Sequence, residues 1–215
     1  MSSVWLSGRT LLLILLAYLL GSIPFGLILA RIFAKADVRQ AGSGNIGATN
    51  VARVAGPLPG ILTLLLDTAK GALAVWLAGH FTDHSASAMM LAGIAALLGH
   101  CYPIWLGFNG GKGVAAALGV FLALSPLAAL SALAVFLLVV AIWRYVSLGS
   151  VAAAAAMPLL MYLLWAPPLA PPLVIIFGTL FATGLVIFKH RANLQRLLDG
   201  TEPRFAFSKS KDPAE

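Results

Sequence analysis

The thirty residues from Val114 to Trp143 contain no Asp, Glu, Lys or Arg. A stretch of that kind restricts the backbone more than any single motif does. In hydrocarbon no water is available to N–H and C=O groups, so the segment has to pair them within itself, as a helix does. Comparable apolar runs lie at Thr10 to Leu20, Ala86 to Leu98 and Leu173 to Phe188, and short polar islands separate them. The whole chain of 215 residues is 60% hydrophobic and 10% charged, with a mean hydropathy of +0.96. Soluble domains sit near about 45–50% apolar and 25% charged, so a soluble globule is excluded. The expectation is an all-α membrane protein whose bundle forms one domain over 1–215, with 189–215 as a tail.

Seven spans are expected: Thr10 to Phe33, Leu58 to Gly79, Ala86 to Leu106, Val114 to Leu124, Pro126 to Trp143, Leu148 to Leu164 and Leu173 to Phe188. The fourth is short against a hydrocarbon core of about 30 Å. It is separated from the fifth because proline disfavours helix at the residue before it and cannot complete the interior ladder, which puts a break at Ser125-Pro126. With seven spans, the connections after the first, third, fifth and seventh share one side, and every Lys and Arg except Arg9 and Lys70 lies there. The opposite loops, His80 to Ser85, the Ser125 turn and Trp165 to Pro172, carry none. The positive-inside rule then places the basic side and the C-terminus in the cytoplasm and the N-terminus outside. One long tilted helix over residues 114 to 143 would give six spans and put the basic tail opposite Arg53 and Lys112. Arg9 precedes a run that continues through Gly21-Ser22-Ile23-Pro24 to Phe33, which reads as a first span and not a cleaved signal peptide.

The net charge of +7 does not point to nucleic acid, because the basic residues flank apolar spans. Cys101, the single cysteine, offers no disulfide and no zinc set, and packing is its expected role. Asp67 and Lys70, three apart inside the second span, are expected to neutralise one another. His80 and His84 fall in the opposite loop.

Four islands carry the chemistry. The first, Asp37 to Arg53, combines the donors Ser43, Asn45, Thr49, Asn50 and Arg53 with glycines that permit close approach of an anion to main-chain N–H groups. The same Ser, Thr and Asn residues also serve as helix caps. The second runs from Gly99-His100-Cys101 to Gly110-Gly111-Lys112-Gly113 and opens directly into an apolar helix. Glycines before a helix start suit phosphate, since free N–H groups and the positive dipole end point at an anion and Lys112 adds a full charge. The alternative is a tight turn with a snorkelling lysine. It is not a Walker A loop, because Leu106 stands where the first glycine belongs and Gly113 where the Ser/Thr belongs. The third, Trp143 to Ser150, offers Arg144 and Ser147 as further donors or as an interfacial anchor. The fourth, Lys189 to Glu202, places His190 and Asn193 three apart on a helix leaving the membrane. Arg191, Arg196, Lys209 and Lys211 read as topology charges or contacts to anionic lipid. No HExxH, zinc spacing, GxSxG elbow, paired carboxylates or HxxxxD arrangement is present, so neither a metal nor a conventional triad is expected.

Taken together, the islands resemble the bacterial membrane family of acyl-phosphate:glycerol-3-phosphate acyltransferases. The matching stretches are GSIP at Gly21 to Pro24, SGNIGATN at Ser43 to Asn50 with Arg53, GHxxPxxxxFxGGKGVA from Gly99 to Ala115, and HRxNxxRLxxGxE from His190 to Glu202. Asn109 departs from the pattern, in which Lys or another basic residue often precedes GGKG. The resemblance implies transfer of a fatty acyl group from acyl phosphate to the 1-hydroxyl of glycerol 3-phosphate, giving lysophosphatidate and phosphate, at the bacterial inner membrane. It requires no cofactor, coenzyme A or metal, and its partners are the two substrates, the bilayer and, as a candidate, a soluble enzyme that makes acyl phosphate. The residues fit that chemistry as follows. Arg53, Lys112 and the backbone of Gly110, Gly111 and Gly113 hold phosphate, with Arg144, Asn45 and His100 beside them. Ser43, Thr49, Asn50, Ser147 and Asn193 orient hydroxyl and carbonyl oxygens. His190 or the donor's own phosphate takes the acceptor proton, and Ser43, Lys112, His190 and Asn193 form the expected catalytic set. A transporter of a phosphorylated metabolite is the competing reading, although transporters favour midplane sites and internal repeats. A membrane scaffold would leave the polar islands without a purpose.

Overall fold

The computed structural model describes residues 7–165 and 171–204. Lys209 and Lys211 lie outside them. Among the described residues ten α-helices follow one another: α1 (Gly8–Gly21), α2 (Phe25–Ala34), α3 (Ala48–Ala55), α4 (Pro57–Phe81), α5 (Ala86–Cys101), α6 (Val114–Leu124), α7 (Pro126–Trp143), α8 (Val146–Leu164), α9 (Leu173–Lys189) and α10 (Arg191–Leu198), with a 3-10 turn at Ile104–Leu106. Every one of the seven expected apolar segments is helical, and length separates them. Five stretches of the described residues are long and apolar enough to cross a membrane: Gly8–Ala34, Pro57–Phe81, Ala86–Leu106, Pro126–Trp143 and Val146–Leu164. A sixth arises if α9 and α10, bent by 55°, count as one span. The 11 residues of α6 extend only about 16 Å, half the hydrocarbon thickness.

The first span is broken where the sequence reading ran through. Pro24 supplies no N–H, and the Ser22 hydroxyl donates to the Tyr18 carbonyl at 2.8 Å. The expected break before Pro126 is present: Ser125 is extended (φ −151°, ψ 91°) and Pro126 opens α7.

Helices approach closely through small residues, which lets van der Waals packing hold a bundle that gains little from hydrophobicity in lipid. On α4 and α6 the approach is reciprocal. A Cβ on Gly71 would stand 2.2 Å from the Ala116 carbonyl oxygen, and one on Gly119 would stand 1.8 Å from that of Thr68. An alanine cluster (Ala17, Ala74, Ala78, Ala92, Ala96) joins α1, α4 and α5 in the same manner. Leu27, Ala30, Val38, Ile46 and Val51 pack beneath α3 and the loop before it. Large apolar side chains such as Leu12, Trp76, Leu138 and Phe177 point outward, as lipid-facing residues do.

Candidate active site

A cavity of about 800 Å³ collects residues from all four polar islands. Its first wall is the loop ahead of α3, held by one side chain. Asn50 is 2% exposed. Its Nδ2 lies within hydrogen-bond distance of the carbonyls of Val38 (3.0 Å), Ala41 (3.0 Å) and Asn45 (2.9 Å), and its Oδ1 accepts the Ser43 N–H at 2.8 Å. Gly42 is required beside it, with φ +62° and only 2.2 Å between a notional Cβ and that Oδ1. The fixed loop brings Ser43, Thr49 and Arg53 to the cavity. Thr49 and Arg53, four apart on α3, share a face.

The second wall is the segment that returns from α5 to α6. The Gly110 N–H donates to the Cys101 carbonyl at 3.2 Å and the Gly111 N–H to that of His100 at 3.0 Å. Gly111 lies against the His100 ring, where a Cβ would come within 2.1 Å of Nε2. His100 Nδ1 in turn stands 3.6 Å from Asp67 Oδ1, and Asp67 pairs with Lys70 at 2.8 Å. Lys70 also donates to the Ile23 carbonyl at 2.8 Å, at the break between α1 and α2. A buried row of polar side chains, the Lys70–Asp67 ion pair with the His100 ring beside it, therefore runs from the first span to the glycine loop. Beyond the loop, Gly113 (φ +87°) starts α6 without a side-chain cap. The first residues of α6 border the cavity, so the N–H groups left over at a helix start lie at its wall.

The remaining polar wall is a network centred on Asn193. Its Oδ1 accepts from Lys112 Nζ, and its Nδ2 donates to Glu202 Oε1 at 2.7 Å. Glu202 Oε2 accepts from Arg196 Nε at 2.8 Å. Burial works against ionisation of Glu202, but Ser147, Asn193 and Arg196 outweigh it and hold the carboxyl below its ordinary value. Lys112 is pushed down to about 8, chiefly by burial; Glu202 opposes that shift while Arg196, Arg53 and Lys189 reinforce it. His190 is 2% exposed, with Nδ1 2.8 Å from the Val186 carbonyl. A carbonyl only accepts, so Nδ1 carries the proton and Nε2 is the acceptor of the neutral ring.

Away from this end the lining turns apolar, with Leu118 and Phe121 from α6, Ala129 and Ala132 from α7, Ala153 and Met157 from α8, and Ala182 from α9. One cavity thus joins a cationic, donor-rich end to an apolar lumen. It suits an amphiphile with an anionic head together with a second small anion.

The sequence profile described as Glycerol-3-phosphate acyltransferase matches residues 11–200. The chain belongs to the glycerol-3-phosphate acyltransferase family. It is 52% identical over 194 residues to the glycerol-3-phosphate acyltransferase of Syntrophotalea carbinolica, covering 90% of this chain and 96% of that one. It is 51% identical over 201 residues to that of Trichlorobacter lovleyi, covering 94% and 96%. Among solved structures it resembles PlsY, an integral membrane glycerol 3-phosphate acyltransferase, in its glycerol 3-phosphate form (TM-score 0.86) and its lysophosphatidic acid form (TM-score 0.84). Identity is 40% in both, over 93% of this chain and 96% of each of those.

In the acyltransferase fold, the sequence-predicted residues Ser43, Asn45, Thr49, Asn50, Arg53, His100, Lys112, Gly113, Ser147, His190 and Asn193 all border the cavity. Three do not. Gly110 and Gly111 spend their N–H groups on the His100 and Cys101 carbonyls, so they shape the loop and offer no cradle of donors. Arg144 is the left-handed C-cap of α7 (φ +62°), outside the lining. Asn50 borders the acyltransferase cavity with its amide committed to the loop. Sequence reasoning missed Asp67, Arg196 and Glu202, which line the cavity as well. Asp67 was assigned to neutralising Lys70 and Arg196 to topology, and no carboxylate was expected at the site. Arg196 and Glu202 both stand in the HRxNxxRLxxGxE stretch, but six residues is not a pairing distance on a helix, and only the turn after α10 brings the two together.

Proposed function

We propose that this acyltransferase moves a fatty acyl group from acyl phosphate to the 1-hydroxyl of glycerol 3-phosphate. The acceptor oxygen attacks the acyl carbonyl carbon, the bond from that carbon to the phosphate oxygen breaks, and lysophosphatidate and phosphate leave. The observation that carries this reading is the continuity of the cationic end with the apolar lumen, which accommodates both halves of an acyl phosphate and leaves room for a second phosphate. Lys112 and Arg53 neutralise the phosphates, and the start of α6 adds its N–H groups. Asn193, set by Glu202, and Ser147 and Thr49 orient oxygens at the reacting carbon, and Ser43 stands with them at the mouth. His190, neutral with Nε2 as acceptor, takes the hydroxyl proton, and the departing phosphate is the alternative acceptor. The polar end faces the cytoplasm at the inner membrane, where a soluble enzyme delivering acyl phosphate has access.

The test is incubation of the purified protein with acyl phosphate and glycerol 3-phosphate, following lysophosphatidate and released phosphate together. Equimolar appearance of both is expected, and an absence of lysophosphatidate overturns the reading. Full turnover by His190→Ala would assign the proton to the donor phosphate.

A further inference from the structure

The cavity does not run on through the bundle. Its lining stops at one residue on each of four helices: Phe121, Ala129, Met157 and Ala182. One turn deeper, Met161 and Gly178 are buried and do not border it. Gly178 is packed so closely on Met90 that a Cβ would meet its Cγ at 2.4 Å, and Met90 and Met161, each 1% exposed, are buried in one cluster with Ile175, none of the three bordering the cavity. The lumen therefore has a solid floor.

Its walls offer little to a polar ligand. Ser150 and Thr183 border it, but their hydroxyls donate to the carbonyls of Val146 (2.8 Å) and Ala154 (2.9 Å). From Ser147 at the polar end to Met157 at the floor is ten residues of one helix, about 15 Å, the reach of an extended chain of about a dozen carbons. Where this wall needs width it has alanine, and at the end it has the long side chain of Met157, which is 4% exposed.

We propose that Met157 and Ala129 fix the acyl-chain length this enzyme accepts, Met157 as the stop and Ala129 as the gap beside it. The proposal rests on the reading of the cavity as an acyl-phosphate site and adds which donors enter it. Met157→Ala removes three heavy atoms from the floor, and Ala129→Leu adds three. A cavity change of that size is worth about two to three methylene groups of substrate, and each methylene in a hydrophobic pocket alters kcat/KM by roughly tenfold or more.

The experiment measures kcat/KM for a graded series of saturated acyl phosphates with the wild type, Met157→Ala, the milder Met157→Val, and Ala129→Leu. The optimum is expected to lengthen in both Met157 variants, more in the alanine, and to shorten in Ala129→Leu. Variants that turn over with the wild-type chain-length profile overturn the proposal. So does an Ala129→Leu enzyme with an unshifted profile when the Met157 variants fail to fold. Failure of the underlying reading looks different: the wild type then gives no lysophosphatidate from a donor of any length.

Discussion

Asn50 shows how a single side chain holds a loop that has no secondary structure of its own. Its amide stands in for the missing ladder by collecting three carbonyls and one N–H from five residues or more away along the chain. Asn50→Ala leaves those groups unpaired, at about 1–3 kcal/mol for each that stays buried. We expect a lowered thermal unfolding midpoint together with at least a hundredfold loss of activity, and Asn50→Asp, which keeps only the acceptor, should rescue neither. Lys112 gives a second test. Protonated, it attracts phosphate; as pH rises through its value of about 8 it loses that charge. The kcat/KM for glycerol 3-phosphate, which reports the free enzyme, is therefore expected to fall on that limb. Lys112→Arg should carry the limb beyond the measurable range, because a guanidinium stays charged. Glu202→Gln should move it to lower pH, since Glu202 is the carboxylate that supports the charged lysine. A limb unchanged in both variants would assign the titration to another group.

At the level of elements, Gly71 of α4 and Gly119 of α6 let the short helix lie directly against the long one. Gly119→Ala places a methyl group on the Thr68 carbonyl oxygen, and overpacking of that kind costs about 1–3 kcal/mol. Gly184 on α9 has nothing within 4 Å of a Cβ. Gly184→Ala is expected to be neutral or stabilising by up to about 1 kcal/mol, the helix-propensity gain alone. Comparing the unfolding of the two variants in one detergent separates close packing from propensity. Most elements were legible in the sequence because apolar length is a local property. The stop before Pro126 was legible for the same reason, through the missing N–H. The break at Pro24 was read through, since the flanking hydropathy does not change across it. The helix Ala48–Ala55 was hidden inside a loop rich in donors, and it exists because Val51 and its neighbours bury against Leu27 and Ala30, a contact between distant segments.

For the whole molecule, the orientation proposed above has a direct check. Leu198 is 84% exposed at the end carrying the polar islands, while Asp83 lies in the loop after α4, where Phe81 accepts a hydrogen bond from Arg9 at 3.3 Å. Cys101 is fully buried and should stay silent to an impermeant maleimide. In intact cells Asp83→Cys is expected to label and Leu198→Cys only after permeabilisation; the reverse pattern would invert the topology. The sequence by itself determined the solvent of this protein, the helical state of its spans and the four polar islands between them, because hydropathy, proline and glycine act within a few residues. Only the tertiary structure decided which island residues line the cavity and which hold the loops. It diverted Gly110 and Gly111 to carbonyls, set Asp67 behind His100, and drew Glu202 onto Asn193 and Arg196. Those choices depend on partners far apart in the chain, and their energies arise from burial and hydrogen-bond geometry that exist only once the helices have packed.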